Sequence, residues 1–170
     1  MSKSYRKSAL ALALTLVLQQ AQAFDVHGIH IGDRWDPARL EEAMSYLTVP
    51  NLQRVRCRPD GAESCDGATR YLVADVRLIV EGKDGRVTKI SMTLPAEEFE
   101  EEITALKREF GQPTQEWSAA PAATAPLPFR HRVDWRGPAE ELFALKFSSM
   151  AIISLTTTQD SAANRYPPPS

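Results

Sequence analysis

The chain has 170 residues, with 20 Lys or Arg against 22 Asp or Glu and 43% hydrophobic residues. That length suits one ordinary domain with a real core. The near-neutral charge argues against a nucleic-acid or anionic-membrane partner, since both select a basic face.

The first predicted element is an export leader. Lys3, Arg6 and Lys7 precede the apolar run Ala9 to Leu18, and Ala21-Gln22-Ala23 places small residues at the two positions a signal peptidase reads. The run is far short of the ~20 residues a spanning helix needs, so residues 1–23 read as a cleaved signal peptide. The mature chain would start at Phe24, with 17 basic against 22 acidic residues, soluble in the periplasm or outside the cell. No later stretch is apolar for long enough to cross a membrane.

Phe24 to Ile31 reads as a short extended segment. Asp36 then suits an N-cap with Pro37 at the first helical position, and Leu40, Ala43, Met44 and Leu47 follow at helical spacing. Trp35 is placed to fold back on that stripe. A weak strand near 52–57 leads into Cys57, and Pro59-Asp60-Gly61 turns the chain back toward Cys65. In an oxidising compartment this spacing predicts a Cys57–Cys65 disulfide rather than a redox pair or a metal site.

Tyr71 to Val80 alternates as a strand with Leu72, Ala74, Val76, Leu78 and Val80 on one face. Gly82-Lys83-Asp84-Gly85 makes a turn, and Val87 to Leu94 returns, completing a hairpin. Pro95 opens a second helix whose Phe99, Ile103, Leu106 and Phe110 form one apolar stripe, ended by Gly111 and Pro113. The run Glu100-Glu101-Glu102 reads as the solvated face of that helix. A weak strand near 114–118, an Ala/Pro loop over 118–128, and strands at 129–135, 142–147 and 150–156 complete a second meander. Residues 161–170 read as a disordered Pro-rich tail, leaving 24–160 as one domain.

The predicted fold class is α+β: two amphipathic helices packed on one face of an antiparallel sheet of six or seven strands. The order helix, weak strand, loop, strands occurs twice, which suggests a pseudo-repeated α-β-β-β unit.

Gly28-Ile29-His30-Ile31-Gly32-Asp33 running into a helix, and Leu106 to Pro113 with its helix ending in Gly-x-Pro, resemble two groups of exported modules. These are the β-lactamase-inhibitor-protein-like domains and the small outer-membrane-assembly lipoproteins. The resemblance implies a non-catalytic envelope module that binds another envelope or secreted protein through a sheet face and loops. Phe24 stands where the lipoproteins carry an acylated cysteine, so anchoring does not carry over, and no functional residue does.

Few residues suggest chemistry of their own. His27 and His30 could be imagined as metal ligands, but positions three apart in an extended segment face opposite sides. No metal or other cofactor is expected. No nucleophile elbow, phosphate loop or dinucleotide motif is present, and no carboxylate pairing predicts a perturbed pKa. Arg54, Arg56, Arg58 and Arg70 cluster around the predicted Cys loop and are the candidate partner-binding residues. A small secreted hydrolase and a metal- or ligand-capturing periplasmic protein stand as the alternative functions.

Overall fold

The computed structural model describes residues 24–45, 55–118 and 129–158. The predicted leader, Arg54, most of the Ala/Pro loop and the predicted tail lie outside the described residues.

At residues 26–29 the described chain makes a tight turn, where an extended segment is expected. Val26 and Ile29 exchange both backbone hydrogen bonds at 3.1 Å, and His27 and Gly28 between them have positive φ. Asp25 Oδ1 accepts from the Gly28 N–H, which stabilises this reversal locally. Helix α1 (Pro37–Ser45) begins as predicted, Asp36 Oδ1 accepting from the Ala38 and Arg39 N–H groups. Just before it, residues 32–35 run beside 85–87, with Gly32 and Trp35 donating to the carbonyls of Val87 and Gly85. Trp35 lies against Gly82, where a Cβ would come within 2.5 Å of the indole. Only glycine permits that contact.

Among the described residues, eight antiparallel strands form one sheet: β1 (Arg56–Cys57), β2 (Ser64–Tyr71), β3 (Ala74–Lys83), β4 (Arg86–Pro95), β5 (Gln115–Ser118), β6 (His131–Arg136), β7 (Glu140–Lys146) and β8 (Met150–Thr157). Their spatial order is β1-β2-β3-β4-β8-β7-β6-β5, so two meanders meet at the central β4–β8 pair. The Cys57–Cys65 disulfide is present, joining residues directly opposite on β1 and β2.

Sequence alternation missed one boundary. The expected strand from Tyr71 to Val80 is broken by a two-residue turn at Leu72–Val73, and Leu72 is exposed rather than in the core. Leu72 is in phase with Ala74 and Val76, so periodicity continues through the turn and conceals it. Strand β2, which begins seven residues before the expected strand start at Tyr71, is not announced by the sequence, because Asp66 and Gly67 are poor strand formers.

Helix α2 (Phe99–Phe110) follows a 3-10 turn at Ala96–Glu98 and stops at Gly111, whose φ is 79°. Phe99, Ile103 and Leu106 are buried and Phe110 is half-buried against them. With Leu40 and Met44 of α1 they join Val76, Leu78, Val80, Ile90, Met92, Ile153 and Leu155 in one hydrophobic core. Glu102 corrects the reading of the acidic run as a solvated face, because it is fully buried. It stands three residues after Phe99 and four before Leu106, on the buried stripe itself.

Candidate functional site

The register of the strands places two turns and the end of β4 at one end of the sheet. There β2 passes into β3 through Leu72–Val73, β4 ends at Pro95 opposite Met150, and β7 turns into β8 through Ser148–Ser149. Neighbouring strands lie about 4.8 Å apart, so these residues fall within roughly 15 Å of one another. Leu72, Val73 and Met150 are 38%, 42% and 37% exposed. They are the large hydrophobic side chains exposed among the described residues.

The turns are held firmly. Glu102 Oε2 accepts from the Val73 and Ala74 N–H groups at 3.2 and 3.1 Å, fastening the β2–β3 turn to α2. Burial pushes the Glu102 carboxyl up to about 7; the two amides oppose the rise and Glu98 and Glu101 add to it. Its Oε1 is buried with no hydrogen-bond partner among the described residues. Tyr71, at the root of the turn, donates to the Asp25 carbonyl at 3.1 Å. Desolvation, then Glu102, raises its hydroxyl above the usual range. On the other side, the Ala96 N–H donates to the Ser149 carbonyl, and Phe147 donates to Met150. Leu72 has φ 45°, a conformation that costs a non-glycine residue about 1–2 kcal/mol. Glu97 and Glu98 follow Pro95 and Ala96 directly and Glu101 comes one helical turn later; none forms an ion pair among the described residues, although Glu98 acts electrostatically on Arg70.

The candidate arginines are not brought together. Arg56 and Arg58 flank the disulfide at the sheet edge, whereas Arg70 lies four residues further along β2 than the position paired with Arg56. Arg70 Nε donates to Asp75 at 2.7 Å. A similar pair joins Arg77 to Asp66, whose carboxyl this hydrogen bond holds below its usual range.

The histidines also separate. The His27 ring stands edge-on to Tyr71 at 5.8 Å, and its Nε2 is buried without a hydrogen-bond partner among the described residues. Desolvation lowers its pKa, against the opposing influence of Asp25 and the Arg70 backbone. His30 instead lies between Asp25 and Asp33, at 3.4 and 3.8 Å. Among the described residues no group of three or more His, Cys, Asp or Glu could hold a metal ion. His131 is engaged by Glu116 at 3.1 Å and Glu100 at 3.5 Å, and those carboxylates bind Lys107 and Lys146. This network ties α2 to β5, β6 and β7.

No helix among the described residues is long and apolar enough to cross a membrane. No protein-family model, curated protein or solved structure matches the chain. Sequence reasoning missed the lip because its apolar residues belong to separate turns, and missed the perturbed Glu102 because three glutamates in a row resemble a wet helix face.

Proposed function

We propose that this protein is an exported, non-catalytic module of the bacterial envelope that binds another protein through the Leu72–Val73–Pro95–Met150 lip. The observation that carries the reading is Leu72, an exposed leucine in a left-handed turn position. Burial does not compensate its backbone cost, and Gly or Asn would fold there more easily. Exposed apolar residues gathered at one end of the sheet, on turns held by hydrogen bonds, suit a partner contact, because little ordering entropy is lost on binding. The partner's chemistry follows from the rim: an apolar segment flanked by Lys or Arg would meet Glu97, Glu98 and Glu101. The balanced pairs Arg70–Asp75 and Arg77–Asp66 would add register but little net attraction.

The leader-like residues 1–23 and the disulfide support export to the periplasm or the medium. The shared core supports a packing in which both helices cover one sheet face. The palindromic strand order supports a repeat, with β4 and β8 as equivalents, although four strands follow each helix where the expected α-β-β-β unit has three.

Affinity capture from the export compartment, with the mature chain as bait, tests the function. A specific partner should be retained by the wild-type chain and lost by the Leu72→Ser/Val73→Ser/Met150→Ser variant, whose changes spare the core. Loss instead in Arg56→Glu/Arg58→Glu, with the lip variant still binding, would move the surface to the disulfide edge. The absence of a partner for every form would reject the binding reading.

A further inference from the structure

The Phe24 nitrogen lies 2.7 Å from Glu140 Oε1 in a buried contact across 116 residues of sequence. Phe24 is itself buried, and its ring stands edge-on to Phe110 of α2 at 5.1 Å. Glu140 opens β7 and is buried too, yet no Lys or Arg pairs with it among the described residues. Its neighbour Glu141, by contrast, accepts from Arg136 at 3.1 Å. A buried carboxylate facing one neutral amide donor is poorly compensated.

We propose that cleavage of the leader supplies the missing cation: the new α-ammonium group of Phe24 forms a buried ion pair with Glu140 that locks the N-terminus onto β7. The inference rests on the export reading. Signal-peptidase hydrolysis of the Ala23–Phe24 bond consumes one water. The hydroxyl goes to the Ala23 carbonyl carbon and a proton to the Phe24 nitrogen. The resulting amine takes a second proton from solvent at neutral pH, its ordinary pKa being about 7.7–8.0. The group at 2.7 Å from Glu140 thereby changes from a neutral amide to a cation without any movement of the fold. Burial otherwise pushes the Glu140 carboxyl up, against the Phe24 amide and the charge of His30. A cation in contact favours the ionised carboxylate instead. A peptidase reads the small residues before the cut, so a large aromatic after it answers to the fold: the Phe24 ring sets the nitrogen in place.

The test compares mature protein beginning at Phe24 with a form retaining Gly-Ser ahead of it, each with Glu140 and with Glu140→Gln. With Glu140 present, the extended form should melt about 10 °C lower than the mature one, and Glu140→Gln should abolish that difference. If Glu140→Gln does not fold, α-amine labelling of the wild-type mature protein decides. A paired amine should react at least about tenfold more slowly in native protein than after unfolding. Equal melting of the two wild-type forms, or an α-amine labelled equally fast in both states, would overturn the pair. N-terminal sequencing separates the two failures. A Phe24 start with equal melting rejects the pair alone, whereas another start rejects the cleavage on which it rests.

Discussion

In β2–β4 the side chains pointing away from the core are wet, whereas in β6–β8 most of the corresponding positions are buried or half-buried, with Arg136 and Met150 exposed. Asp66, Arg70, Asp75, Arg77, Glu81 and Lys89 are exposed or half-buried and pair across strands. On the second meander Asp134, Glu141, Leu145, Ser154 and Thr156 are buried. Asp134 is only 1% exposed and receives Arg132 Nε on both carboxylate oxygens, at 3.0 and 2.9 Å. Both halves use the same alternation and the same antiparallel pairing, yet an ion pair means different things in each. In water, the Coulomb gain is screened and offset by side-chain ordering; in a dry site, removing one partner strands the other's charge.

That contrast is sharpest if Asp134→Ala is made first. Loss of the acceptor leaves the Arg132 guanidinium uncompensated and should cost about 3–5 kcal/mol in a denaturant titration. A loss below about 1 kcal/mol would place that pair in the same class as the surface pairs of the first meander.

Glu102 carries the comparison into pH. Its folded pKa of about 7 lies above the ordinary 4.5, so its favourable contribution is complete below about pH 4.5 and is lost as pH rises through 7. Ionisation of this one residue should remove about 3 kcal/mol between pH 4.5 and 8.5. Glu102→Gln keeps an acceptor for the Val73 and Ala74 amides and should flatten that part of the pH–stability curve. Parallel curves for the two proteins would show that Glu102 is hydrated.

The disulfide belongs to the wet half and should matter more than its surface charges. Replacing both cysteines with serine should cost roughly 2–3 kcal/mol, because the short closed loop regains entropy when unfolded. Equal stability of the serine variant and the wild type would mean that β1 contributes nothing to folding. The smallest effect is expected from Arg77→Ala, which should leave the melting temperature within about 2 °C of wild type at any salt concentration. A marked loss would show that the exposed pairs act as a network.

Local signals were legible where one residue or one helical period decides the outcome. Asp36 with Pro37 marked the start of α1, and the stripe Phe99, Ile103 and Leu106 marked α2 and its buried side. The two cysteines and the intervening Pro-Asp-Gly marked the disulfide. These depend on short-range sterics, capping and a loop of fixed length. Of the candidate site, the three described arginines were visible as residues but their dispersal was not, because the separation of Arg56 on β1 from Arg70 on β2 becomes a distance only once the sheet has formed.

Tertiary contact alone decided the rest. The turn at Leu72–Val73 exists where α2 presents Glu102 to two backbone amides, and nothing in the alternation of β2 and β3 announces it. The lip gathers residues from positions 72 to 150 because β4 pairs with β8, a long-range contact with no local signature. Glu140 meets Phe24 for the same reason, across a separation no sequence window spans. Residue type and near-neighbour spacing set the helices, the strands' alternation and the crosslink. Which carboxylates are dry, and which apolar side chains remain outside, depends on desolvation, and desolvation is a property of the assembled sheet and helices.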